Sequence, residues 1–165
     1  MKDTKLNVFF AGGNGSDSLN LNMPEEGSSK YEIGSPNISA IAGLNAGIEW
    51  VVNIGIDKIA THKQKLISKL AKGLTSLENV KIFKPKEEDF ITGVLSFVVE
   101  GYESSDVGQI LDDEFDIAVR TGHHCAPMVN KVIDDIAYGG TVRVSVGYFN
   151  KEEEIDKLIE AIRSL

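Results

Sequence analysis

At 165 residues the chain has room for one domain or slightly more. Hydrophobic residues make up 42% and charged residues 25%, a globular balance that excludes disorder throughout and permits a core without disulfide or metal staples. Seventeen Lys and Arg against 25 Asp and Glu leave a net charge of −8, which argues against nucleic acid or an anionic membrane as partner.

The first apolar stretch is Leu6-Asn7-Val8-Phe9-Phe10-Ala11. It follows Lys2 and Lys5 and faintly resembles a signal peptide, but it is short and runs straight into Gly12-Gly13-Asn14-Gly15. It reads as a short buried strand or extended segment. No apolar run reaches the roughly 18 residues a membrane-spanning helix needs, so no membrane partner is expected. Residues 12–37 have loop composition, rich in Gly, Ser, Asp and Asn. A loop this long is unusual in a compact domain unless it is functional or covered.

Ser35-Pro36 reads as a helix start, with Ser as cap and Pro at the first helical position. The stripe Ile38, Ile41, Leu44, Ile48, Val51, Val52 describes one helical face. Asn45, Glu49 and Asn53 make it a soluble core helix rather than a membrane one. Gly55 breaks or bends it. A second helix follows, with Ile56, Ile59, Leu66, Ile67, Leu70, Leu74 and Leu77 inward. Lys58, Lys63, Lys65, Lys69 and Lys72 lie on its solvated face.

Past Asn79 the period changes. Val80, Ile82 and Phe83 suggest a strand, and Lys84–Asp89 a charged turn. Val94–Val99, between Gly93 and Gly101, is a buried strand. Ser104 or Ser105 caps a helix running through Asp113. Ile117–Val119 and Thr141–Val146 are further strands. Asn150 with Glu153 is a capping box for the last helix, which turns Ile155, Leu158, Ile159 and Ile162 inward. The order strand, strand, helix, strand, strand, helix implies an α+β fold, a small sheet with helices on one side. The expected organisation is an arm at 1–37, bridging helices at 38–78 and an α+β domain at 79–165.

The stretch Arg120-Thr121-Gly122-His123-His124-Cys125-Ala126-Pro127 holds the only cysteine. One cysteine excludes an intrachain disulfide and a Cys-only zinc site, and it fits a reducing cytoplasm. A thiol is nucleophilic as thiolate, and Arg120, His123 and His124 are cations or potential cations beside it. Arg143, on another strand, can face the same pocket and clamp a carboxylate through paired hydrogen bonds. A lone Cys is commonly a small buried hydrophobe, but a polar loop between His and Pro is a poor place for one. Adjacent side chains seldom reach one metal, and no second Cys or His-x-x-x-His is present, so no metal site is expected.

Arg120–Ala126 resembles the active-site cysteine motif of cysteine desulfurases of the class V aminotransferase family, in the branch that includes selenocysteine lyases. Gly12-Gly13-Asn14-Gly15-Ser16 is similar to the family's glycine loop. Tyr31–Asn37 is similar to its E-x-G-T-P-N segment, with Ser35 for the usual Thr. Ile41–Glu49, Thr141–Ser145 and the final helix resemble the elements expected there. The resemblance implies the C-terminal small domain of a fold-type I enzyme dependent on pyridoxal phosphate (PLP), with a helical bridge and an N-terminal arm. It implies Cys125 as nucleophile, Arg143 as clamp on the substrate carboxylate, and Arg120 beside the substrate. His123 and His124 tune the thiol or shape its loop. It further implies that Gly13 and Asn14 reach the PLP phosphate of a neighbouring subunit, although relatives often carry a hydroxyl residue in place of Asn14.

The implied reaction takes sulfur from L-cysteine, or selenium from selenocysteine, and releases L-alanine, with PLP as electron sink. A homodimer, or a separate N-terminal half, and a sulfur-acceptor protein feeding iron–sulfur cluster assembly complete the expectation. The family's PLP lysine has no match here, and Lys63 after His62 belongs to the solvated helix face. The chain alone is therefore expected to be inactive. Two other readings are a non-catalytic scaffold of the same fold and a class V aminotransferase or lyase of other specificity.

Overall fold

The computed structural model describes residues 6–15, 19–85, 92–133 and 136–165. The chain forms two compact units, Met1–Asn53 and Ile54–Leu165. Among the described residues no single helix is long and apolar enough to cross a membrane.

In the first unit, residues 6–11 form no strand and are exposed, with Phe9 at 90% and Phe10 at 70%. Of the two expectations, a short buried strand or an extended segment, the buried strand is not formed: among the described residues the first unit offers no strand to pair with it. A 3₁₀ turn at Ser28–Lys30 interrupts the loop region. Helix α1 spans Ile38–Ile54. Its cap is Asn37, not Ser35: the Asn37 side-chain oxygen accepts from the Ala40 amide at 3.0 Å. The expected core helix is also corrected. None of the residues of α1 is buried, and Ile38, Ile41, Leu44 and Ile48 are all more than half exposed. The apolar stripe is real, but among the described residues of its unit no partner layer covers it.

Near the start of the second unit Gly55 has a φ of 93°, a conformation side-chain-bearing residues rarely adopt. Helix α2 follows at Ile56–Thr75 and buries Leu66, Ile67, Leu70, Ala71 and Leu74. Strands β1 (Val80–Phe83) and β2 (Val94–Val99) come next. Most of the charged turn expected between them lies outside the described residues. Helix α3 is Ser104–Phe115, ending two residues beyond the expected Asp113. Neither serine caps it: Glu103 is the cap residue, and the Ser104 hydroxyl instead donates to the Gly139 carbonyl at 3.1 Å. Asp116, at φ 53°, ends the helix in the left-handed conformation.

The strand expected at Ile117–Val119 lies three residues later, as β3 at Arg120–Gly122. Ile117 and Val119 pack against the core while Ala118 is exposed, and pairing begins only at Arg120, where the segment meets β4. Helix α4 (Pro127–Ile133), a 3₁₀ turn at Ile136–Tyr138, strand β4 (Thr141–Ser145) and helix α5 (Glu152–Arg163) complete the chain. The cap of α5 is shifted by one residue from the expected Asn150–Glu153 pair. The Lys151 amide donates to Glu154 at 2.9 Å, and the Asn150 side chain donates to the same carboxylate at 3.0 Å.

The sheet is wholly antiparallel, in the order β1-β2-β4-β3. Phe97, Val142, Leu95 and Val144 form one face and join α2, α3 and α5 in a single core. Helices α2 and α5 pack so closely that a Cβ on Gly73 would lie 2.3 Å from Ile159 Cδ1. At the rim of the unit, Lys65 and Lys69 of α2 pair with Glu152 and Asp156 of α5. Lys63 departs from the solvated face assigned to it. It is half-buried and lies across Gly93, where a Cβ would come within 2.5 Å of Lys63 Cε. This is the α+β layer expected from the element order.

Candidate active site around Cys125

Side chains alternate along β4, so Thr141 and Arg143 share the face opposite Val142 and Val144. Register places Arg143 directly between Ser96 on β2 and Arg120 on β3. The two predicted substrate arginines are therefore cross-strand neighbours. Cβ atoms in such a pair are about 5 Å apart, and two like charges there repel each other. Among the described residues neither is in an ion pair. Arg120 is exposed and Arg143 half-buried, with its Nε buried and without a hydrogen-bond partner. Paired guanidinium groups that face no carboxylate of their own suit an external anion.

Cys125 follows β3 by three residues and is exposed. It lies in a tight turn closed by the Ala126 amide donating to the His123 carbonyl at 2.8 Å. The two central residues, His124 and Cys125, have φ of 52° and 60°, as in a type I′ turn. For non-glycine residues that conformation costs about 1–2 kcal/mol each. His124 is half-buried, and its Nε2 lies 2.8 Å from the buried Thr141 hydroxyl. Because Thr141 shares its face with Arg143, this bond brings the cysteine turn to the arginine-bearing face. His123 is exposed beside it.

Two features of this region were not singled out from sequence. One is Thr141 as anchor for His124. The other is the contact of Gly140 with Gly122: a Cβ on Gly140 (φ 100°) would fall 2.4 Å from Gly122 backbone atoms. The doubled Gly139-Gly140 just before a strand was the available signal, since paired glycines mark a close backbone approach.

Gly13 and Asn14 belong to the first unit. There the Gly34 amide donates to the Gly13 carbonyl at 2.9 Å, and the Asn14 side chain donates to the Ser29 carbonyl at 3.2 Å. The glycine loop and the Tyr31–Asn37 segment are thus held side by side. A cavity of about 520 Å³ opens against the loop, lined by residues 11–15 and 20–24.

Comparison with known proteins gives a consistent result. A probable cysteine desulfurase of Methanothermobacter thermautotrophicus is 36% identical over 141 residues, covering 86% of this chain and 35% of that protein. The apo structure of a cysteine desulfurase from Thermococcus onnurineus NA1 superposes with a TM-score of 0.76 at 37% identity, over 84% of this chain and 34% of that one. A structure of C-DES with glycine covalently linked to its PLP cofactor shares the fold, with a TM-score of 0.66 at 22% identity over 85% of this chain and 32% of that one. The chain spans about a third of the length of the curated relatives it matches. The model of the family described as Aminotransferase class-V matches residues 2–158. The chain belongs to that family.

Proposed function

We propose that this chain is the C-terminal portion of a PLP-dependent cysteine desulfurase and that Cys125 receives the sulfur. The observation that carries the reading is the exposed Cys125 on a turn bonded to the strand of Arg143. A sulfur carrier has to be reached by a substrate and afterwards by an acceptor, and an exposed turn permits both where a packed strand would not.

In this reading Arg143 holds the substrate carboxylate and Arg120 adds a second positive charge beside it. The Cys125 thiolate attacks the substrate sulfur. A sulfur–sulfur bond forms as the carbon–sulfur bond breaks, and that bond's electron pair stays with the carbon. The carbon takes up a proton, so cysteine plus protein thiol gives alanine plus protein persulfide. Bound PLP supplies an electron sink for the substrate carbon.

The residues of this chain that fit the cofactor are those of the glycine loop. Gly13 is exposed, and a Cβ there would meet nothing within 4 Å, so a phosphate can approach the backbone. Backbone and side-chain amides such as those at Gly13 and Asn14 are suitable donors to a phosphate. The Schiff-base lysine would lie in the remaining portion of the protein. A second copy, that portion, a sulfur-acceptor protein and a cytoplasmic setting belong to the same proposal.

The test is alanine release from L-cysteine by the chain combined with its lysine-bearing portion. Activity in the combination, lost on Cys125→Ala, supports the reading. Undiminished release from Cys125→Ala contradicts it.

A further inference from the structure

His124 and Cys125 occupy successive left-handed conformations, a state uncommon for any residue but Gly, although Asn, Asp and His adopt it more often than a residue such as Cys. Two hydrogen bonds oppose relaxation of this turn. One is internal, from the Ala126 amide to the His123 carbonyl. The other leaves the turn, joining His124 Nε2 to Thr141 Oγ1 at 2.8 Å. Its far end is fixed. Thr141 is 1% exposed, begins β4 and pairs with Gly122. Gly140 before it lies against the Gly122 backbone, and the Ser104 hydroxyl holds the Gly139 carbonyl.

We propose that Thr141 is a positioning residue for Cys125: acting through His124, its hydroxyl holds the thiol-bearing turn in its left-handed form against the strand that carries Arg143. The importance of this brace rests on Cys125 being the sulfur carrier. The brace itself is a statement about the turn and is measured without turnover.

The test uses the full chain with Thr141→Val, which keeps the shape and removes the hydroxyl, and Thr141→Ser, which restores it. Amide hydrogen exchange at Ala126 reads the turn, exchange at Phe97 reads the core, and alkylation of the only thiol reads Cys125 itself. Thr141→Val should speed Ala126 exchange about 3–10-fold, the scale of one net side-chain hydrogen bond, and leave Phe97 unchanged. The alkylation rate should change with it, and Thr141→Ser should return both to wild type. His124→Ala should reproduce the effect, and the double variant should add nothing to it, as expected for two ends of one bond. Should Thr141→Val also expose Phe97, His124→Ala decides alone.

Unchanged Ala126 exchange in His124→Ala, additive effects in the double variant, or no rescue by Thr141→Ser would overturn the brace. A chain that shows the pattern but never carries sulfur keeps the brace and loses the nucleophile. A chain that carries sulfur without the pattern keeps the nucleophile and loses the brace.

Discussion

Arg120 and Arg143 stand directly opposite each other on neighbouring antiparallel strands. Two like charges at that spacing oppose sheet formation, and among the described residues no carboxylate relieves them. An external carboxylate between them would turn that repulsion into two charge-assisted hydrogen-bonding partners. Arg143→Ala should therefore lower kcat/KM for cysteine about 10–100-fold in the combined enzyme, the equivalent of ~1.5–3 kcal/mol for a charged hydrogen bond. Steady-state kinetics checks this, and an unchanged value would move the clamp to Arg120.

Gly140→Ala should be strongly destabilising. Its Cβ would lie 2.4 Å from Gly122 backbone atoms, which no rotamer change can relieve, and φ at Gly140 is 100°. Overpacking of this kind costs about 1–3 kcal/mol, with the left-handed penalty in addition. Gly13→Ala, facing open space, should leave urea unfolding nearly unchanged. Equal midpoints for the two variants would contradict the close approach beside the cysteine turn.

The surface of α5 makes stability depend on pH in a stated direction. A hydrogen bond from Lys65 holds the Glu152 carboxyl below its ordinary range, and the Lys151 amide does the same for Glu154. Such groups bind fewer protons in the folded chain, so their contribution is full above the ordinary glutamate range and fades as pH falls through the lowered values. Lys69 is raised, chiefly by its hydrogen bond to Asp156. Its contribution is full below the ordinary lysine value and is lost as pH rises through the raised one. Both effects are small at exposed positions. Glu154→Gln should flatten the acid limb of Tm against pH, measured by calorimetry, and an unaltered limb would contradict the cap.

The chain alone should bind no PLP covalently at a specific lysine. Lys63 lies along Gly93 on α2 rather than in the cysteine turn. Incubation with PLP, borohydride reduction and peptide mapping checks this. Stoichiometric labelling of Lys63 would contradict the expectation.

Periodicity made the second unit legible. The α2 stripe from Leu66 to Leu74, Leu95, Phe97 and Val99 of β2, and the α5 face bury the residues their spacing selects, because both sides of that core lie within the chain, whereas Ile56 at the head of α2 and Val94 at the start of β2, both expected inward, are exposed. The same reading failed for α1, whose stripe is as regular but meets no partner layer among the described residues of its unit. Boundaries failed where a neighbouring side chain took over a local role, as when Ser104 bonds Gly139 rather than capping α3. At the site, residue types named Cys125, Arg120 and Arg143. Spacing had no means of showing that the two arginines pair in register or that Thr141 holds His124. Both depend on strand pairing and on a positive-φ turn, which only tertiary structure specifies.

The central claim is that sulfur leaves the substrate onto Cys125. The direct measurement is intact and peptide mass spectrometry of the combined enzyme after brief exposure to L-cysteine. One added sulfur on the Cys125 peptide, absent in Cys125→Ala and discharged by a reducing thiol, is the predicted result. Alanine release from L-cysteine with no sulfur ever found on Cys125 would contradict it.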